Sequence, residues 1–176
     1  MQVRFEPAAI GDPEGLAAFL AADTWPFHGS YQVSRARALE LIAKGEFLAE
    51  ESREFWMLVG DERVGLLRLT DYTDPTPMLD LRIRSAFRGR GLGAAGLRWI
   101  TGHAFETRPD VHRIEGNTRE DNVAMRRTFL KCGYVKESHY RKCWPSPEGV
   151  YYDGIGYAIL RQDWLSGTTT PVRWGD

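Results

Sequence analysis

Arg88-Gly89-Arg90-Gly91-Leu92-Gly93 is the stretch on which the fold reading turns, because three glycines and two arginines separate a strand-like segment from a helix-like one. Upstream, Met78-Leu79-Asp80-Leu81-Arg82-Ile83-Arg84 alternates apolar and polar side chains, the period of two of a half-buried strand. Downstream, Leu92, Ala95, Gly96, Trp99, Ile100 and His103 recur at helical spacing. A helix start leaves backbone N–H groups unpaired and partly positive, and glycines let a ligand come into contact with the backbone. The stretch therefore reads as a cradle for a diphosphate.

Gly91, Gly93 and Gly96 also spell a dinucleotide-type G-x-G-x-x-G, with Asp110 about 20 residues on. The context argues against that reading. Thr107-Arg108-Pro109-Asp110 is loop-like rather than the end of a second apolar strand, and the motif starts too late in the chain for a full doubly wound sheet. No Gly-Lys-Ser/Thr follows, which removes a Walker loop. Arg82, Arg84, Arg88 and Arg90 crowd one strand and loop. Beside a phosphate-bearing ligand they are well placed, and without one they form a solvated basic edge.

Working outward, Asp12-Pro13 is a cap and first-turn pair that opens a helix through about Ala22, and Ser34 caps a second helix whose Leu39 and Ile42 face inward before Gly45 ends it. Met1 to Phe5 reads as an edge strand, and Phe55–Val59 with Val64–Leu69 as a hairpin. Asp71 to Pro77 is a turn-rich loop. A strand is expected near His112 to Asn117, a helix from Asn122, and two aromatic strands at Tyr134–Trp144 and Val150–Leu160. The residues after Gly167 read as a loose tail, so the chain divides into one domain over 1–167 and a tail over 168–176.

The 176 residues are 43% hydrophobic and 27% charged, the balance of an ordinary single globular domain. A net charge of −1 gives no general attraction to nucleic acid or to an anionic membrane. No signal core and no span of about 18 apolar residues is found, and a cytoplasmic location is expected. Cys132 and Cys143 are read as free thiols. His28, His103, His112 and His139 have no metal-ligand spacing, and G-x-S-x-G is absent. Exposed edge strands rich in tyrosine and tryptophan are compatible with a homodimer.

Arg88 to Gly93 resembles the Q/R-x-x-G-x-G/A pyrophosphate loop of the GNAT superfamily of acetyl-CoA-dependent N-acetyltransferases. Asn122-Val123-Ala124-Met125-Arg126-Arg127-Thr128-Phe129-Leu130-Lys131-Cys132-Gly133-Tyr134 is similar to that family's second helix. Its own chemistry agrees: Asn122 can cap, Met125, Phe129 and Cys132 share a face, and Gly133 can take the left-handed ending. Asp153, Tyr157, Leu160, Arg161 and Trp164 resemble the branch that includes ribosomal-protein N-terminal acetyltransferases of the RimL type.

The resemblance implies an α/β domain with a mixed, mostly antiparallel sheet of about six or seven strands flanked by helices. It implies transfer of an acetyl group from acetyl-CoA to a primary amine, a protein N-terminus or a small molecule, by direct attack in a ternary complex. The cofactor contacts it implies are backbone at Ile83 and Arg84, then Arg88, Gly89, Arg90, Gly91, Leu92, Gly93, Asn122 and Phe129. Candidates for the general base are Asp80 on the fourth strand and Glu115 on the fifth. Trp25, Phe27, His28 and Tyr31 lie in a loop that borders the acceptor, where His28 offers a second base and the aromatics either a wall or core plugs. Many members carry a tyrosine where this chain has Phe129, and RimL-type members a serine where it has Met125. That departure leaves a side-chain acid in doubt, with water, Thr128 or Tyr134 as candidates, and keeps open an acyl-CoA-binding sensor without turnover.

Overall fold

The computed structural model describes residues 2–8 and 11–175. In chain order the elements are β1 (Val3–Pro7), α1 (Pro13–Ala21), α2 (Arg35–Ala43), β2 (Arg53–Val59), β3 (Glu62–Thr70), β4 (Met78–Ile83), α3 (Leu92–Thr107), β5 (Arg113–Arg119), α4 (Val123–Lys131), β6 (Val135–Pro145), β7 (Tyr151–Leu160) and α5 (Arg161–Ser166). The strands form one sheet in the order β1-β2-β3-β4-β5-β7-β6, antiparallel throughout except for β4 beside β5. This is the seven-stranded, helix-flanked α/β architecture anticipated from the sequence.

Strand alternation builds two cores. In β2, Phe55 and Met57 point to the side covered by α3 and α4, where they meet Leu67, Leu97, Ile100 and Phe129. Trp56 and Leu58 point to the opposite side and pack with Leu66, Trp25 and the helix residues Leu16 and Leu20. Both faces being covered explains why β2 reads as an unbroken apolar run. α1 is capped by Asp12, whose side chain accepts from the Gly15 N–H, and α2 by Ser34, which accepts from the Arg37 N–H. In α2 it is Ala38 and Leu41 that are fully buried, with Leu39 and Ile42 only partly so. Met1, expected at the start of the edge strand, lies outside the described residues.

Two features position the site. β4 and β5 share a single paired register, Met78 with Glu115, and then part. Beyond that point β4 stays bound to β3 and β5 to β7, so the sheet opens as a V. The tail expected after Gly167 is not loose at its start. Buried Asp163 of α5 accepts from the Thr170 N–H at 2.9 Å and from its hydroxyl at 2.7 Å.

Candidate active site

α3 starts at the glycine loop as the spacing required. Gly91 caps the helix at φ 81°, and the first helical bond runs from the Ala95 N–H to the Gly91 carbonyl at 3.1 Å. The amides before Ala95 have no turn behind them and point out of the helix end. Gly89 is also left-handed, at φ 75°, and a Cβ at either glycine would meet nothing within 4 Å. The space above the loop is therefore open to a ligand and only the backbone borders it. Gly89, Gly91 and Gly93 line a cavity of about 340 Å³ whose walls include an apolar stretch of Ile83, Phe87, Ala124 and Met125, with Arg88 and Lys131 at its charged side. Amides at one end and an apolar trough beside it suit a diphosphate joined to a long pantetheine-like arm.

A second cavity of about 260 Å³ lies on the far side of the V, lined by Met78, Asp80, Arg82, Asn117 and Trp144. Phe27, His28, Leu81, Asn122 and Met125 line both cavities. The junction is roofed by the Thr24–Tyr31 loop, which is tied from both arms of the V. Arg88 donates from Nε to the Ile83 carbonyl at 2.9 Å and from Nη2 to the Thr24 carbonyl at 2.8 Å. From β5, Arg119 grips Asp121 with two bonds of 2.8 and 2.6 Å, reaches the Pro26 carbonyl at 3.3 Å and lies 5.1 Å over the Phe27 ring.

Asp80 sits at the centre of the acceptor-side cavity. Its Oδ1 is 2.9 Å from His28 Nε2 and its Oδ2 3.3 Å from Arg82 Nε. Burial alone would raise the carboxyl pKa, but the charges of Arg82, His28 and Arg68 and the hydrogen bond from His28 outweigh it and hold it far below the ordinary carboxylate range. Such a carboxylate stays ionised and is a poor acceptor for an amine proton. Asp80, expected as a base, is hydrogen-bonded to His28 in this cavity, a geometry in which the carboxylate can orient the imidazole. Glu115 lines neither of these cavities. It is ion-paired to Arg113, which also holds Glu137 at 2.6 Å, in a separate groove on β5 and β6.

Arg84 is corrected as a cofactor contact. Its N–H is spent on the Val64 carbonyl at 2.9 Å, and its side chain on Glu62 at 2.7 Å. Because that pair is hydrogen-bonded, alternation along the β3–β4 ladder turns the Leu81 and Ile83 N–H groups away from β3 and toward the V. The crowd of arginines read from the sequence disperses because each has its own partner. Arg82 faces Asp80, Arg84 faces Glu62, and Arg90 lies 5.3 Å over the Phe87 ring outside the cavity lining, which leaves Arg88 beside the loop.

Trp25 is a fully buried plug at the rim, with Nε1 donating to the Leu20 carbonyl at 2.9 Å. Tyr31 is exposed and lines neither cavity. Asn122 caps α4 through the Met125 N–H and donates to Thr118 Oγ1 at 3.0 Å. Phe129 is buried, stacked on Tyr157 at 4.8 Å, and its edge reaches the acceptor-side cavity. Leu81, Asn117 and Trp144 escaped the sequence reading. Alternation in β4 was a signal for Leu81, whereas nothing local marks Trp144, which arrives from the far hairpin.

A glycine-loop cavity suited to a long, phosphate-bearing carrier on one side of a split sheet and a second cavity on the other make the arrangement of a group-transfer enzyme acting across the V. Comparison with known proteins makes it specific. The family model described as "Acetyltransferase (GNAT) domain" matches residues 2–135. The chain is 26% identical over 173 aligned positions to the FsC-acetyl coenzyme A-N(2)-transacetylase of Aspergillus fumigatus, covering 94% of this chain and 69% of that protein. Among solved structures, a chimera of the spermidine N-acetyltransferase SpeG from Vibrio cholerae and hSSAT superposes with a TM-score of 0.78 at 20% identity, covering 94% of this chain and 99% of that one. RimL, the ribosomal L7/L12 alpha-N-protein acetyltransferase, in a complex with coenzyme A, gives a TM-score of 0.77 at 16% identity, with 91% and 94% covered. The chain belongs to the GNAT acetyltransferase family and is an acetyl-CoA-dependent N-acetyltransferase. Among the described residues no helix is long and apolar enough to cross a membrane, and no cluster of potential metal ligands is found.

Proposed function

We propose that this chain acetylates a primary amine by direct attack in a ternary complex, as a single catalytic domain over 1–167, in the cytoplasm. The observation that carries the reading is the pair of cavities meeting at the opening between β4 and β5. Acetyl-CoA supplies the activated thioester. In this reading the amides at Gly89, Gly91, Leu92 and Gly93 take the diphosphate, and Leu81 and Ile83 offer their free N–H groups to the acetyl carbonyl. Leu81, at the junction, is the better placed of the two. The acceptor is a protein N-terminus, as for the RimL branch, or a small amine. The outer edge of β6, with Tyr140 57% exposed and Tyr151 of the neighbouring β7 56% exposed, is the surface this reading assigns to a homodimer, which sedimentation would test.

A thiol-release assay with acetyl-CoA across polyamines, an aminoglycoside and short peptides with free N-termini tests the proposal. Turnover with at least one amine class is expected, together with a rise in Tm on adding micromolar acetyl-CoA that NADH does not reproduce. A Tm rise with no thiol release from any amine would favour a non-catalytic acyl-CoA sensor.

A further inference from the structure

Acetyl transfer must take one proton from the acceptor nitrogen and deliver one to the departing sulfur. The side chains that the family pattern would nominate as acid do not serve. Phe129 has no proton to give. Tyr134 is buried, its hydroxyl is 2.7 Å from Thr101 Oγ1, and burial pushes its pKa well above the ordinary phenol value. Thr128 Oγ1 donates to the Ala124 carbonyl at 2.9 Å. Asp80 and Arg82 line only the acceptor-side cavity, and Arg88 and Lys131 only the cofactor-side one. Among the described residues, His28 is the ionisable side chain that lines both.

From this placement, and resting on the acetyl-transfer reading above, we infer that His28 carries the proton from the acceptor amine to the CoA sulfur. Ionised Asp80 accepts the Nε2–H of His28, which fixes the tautomer and leaves a lone pair on Nδ1. Nδ1 is buried with no hydrogen-bond partner, so no neighbouring donor competes for it. A small turn of the ring, with Nε2 kept on the carboxylate, opens Nδ1 to an amine in the cavity. As the bond from the amine nitrogen to the acetyl carbon forms and the carbon–sulfur bond breaks, Nδ1 takes the amine proton. The resulting imidazolium then gives that proton to the thiolate, so the ring returns to its starting form and CoA leaves as the thiol. Asp80 is a positioning residue in this scheme. The other charges around the ring are Arg82 beside Asp80, Arg88 at 6.0 Å behind Trp25, and Arg119 across Phe27.

Two kinds of measurement test the inference. In the acceptor-free protein at neutral pH, nitrogen-15 imidazole spectra should show His28 protonated at Nε2 and bare at Nδ1. His28→Gln should lower kcat by about 100-fold or more while acetyl-CoA still raises its Tm, and added imidazole should restore part of the rate. Asp80→Asn should lower kcat by a smaller factor than His28→Gln and leave the KM for acetyl-CoA unchanged, because the carboxylate that holds the ring by its Nε2–H is gone. A wild-type ring protonated at Nδ1 overturns the inference whether or not the variants fold. So does a His28→Gln enzyme within about threefold of wild type with an unchanged pH profile. Absence of wild-type turnover with every amine overturns the acetyl-transfer reading itself, an outcome distinct from active wild type with an equally active His28→Gln.

Discussion

Gly91 shows how one backbone angle sets up a binding site. At φ 81° it turns the chain from the loop into α3, and its missing side chain keeps the space above the amides clear. A branched side chain is strained at that angle and stands where the diphosphate must approach. Gly91→Val should therefore weaken acetyl-CoA binding at least tenfold, about 1.4 kcal/mol, measured by calorimetry, while the folded circular dichroism spectrum persists. Gly96 makes a different contribution. A Cβ there would come within 2.5 Å of Met57 Cε and 3.2 Å of Leu67 Cδ2, so the glycine lets α3 lie close on the sheet. Gly96→Ala presses on the mobile tip of Met57 but gains about 1 kcal/mol of helix propensity, so its Tm should stay within a few degrees of wild type, with acetyl-CoA affinity little changed. Both glycines were legible in the sequence because a turn and a close approach leave a residue-type signature. The His28–Asp80 pair was not, since its members are 52 residues apart and only the V brings them together.

At the scale of elements, the periodicity of α3 and the caps of α1, α2 and α4 made those helices readable, because each is a local rule obeyed within a few residues. The opening between β4 and β5 is set by non-local pairing, and a strand's sequence does not say where its neighbour leaves it. For the same reason the arginines of β4 and its loop read as one cluster, although three different partners separate them. The roof over the V depends on the two arginine ties. Removing the β5 tie in Arg119→Ala frees Pro26 and Phe27 and leaves Asp121 without its bidentate partner. The expected result is a fall in kcat/KM for the amine of at least about tenfold with a modest loss in Tm, and Arg119→Lys should not restore it, because an ammonium cannot reproduce the two-pronged contact. Unchanged kcat/KM in Arg119→Ala would show that the roof holds without this tie.

For the whole molecule, stability against pH follows from groups spread over both faces of the sheet. Asp12, Asp23, Asp80, Asp121 and Asp153 all lie below the ordinary carboxylate value of 3.8, held there by amides, guanidinium groups or His partners that outweigh burial. Their contribution is complete above that value and is lost as pH falls beneath it, because the unfolded chain then binds protons that the folded one resists. A second loss should come earlier. His103 is stacked on Trp99 at 5.1 Å and edge-on to Phe55 at 4.8 Å, and burial lowers its pKa below 6.5, with Glu106 opposing. Between the ordinary histidine value and that lowered one, the unfolded chain carries a proton at this position that the folded chain excludes, so stability must decline as pH drops through the window. Tm should thus fall in two stages on acidification, one beginning as pH drops through the ordinary histidine value and one below about pH 4. His103→Phe keeps the ring in the stack and removes the titrating nitrogen. Its Tm should match wild type or exceed it at pH 7 and stay level through the first stage, while the second stage is unchanged. A first stage that persists in His103→Phe would assign it to another group.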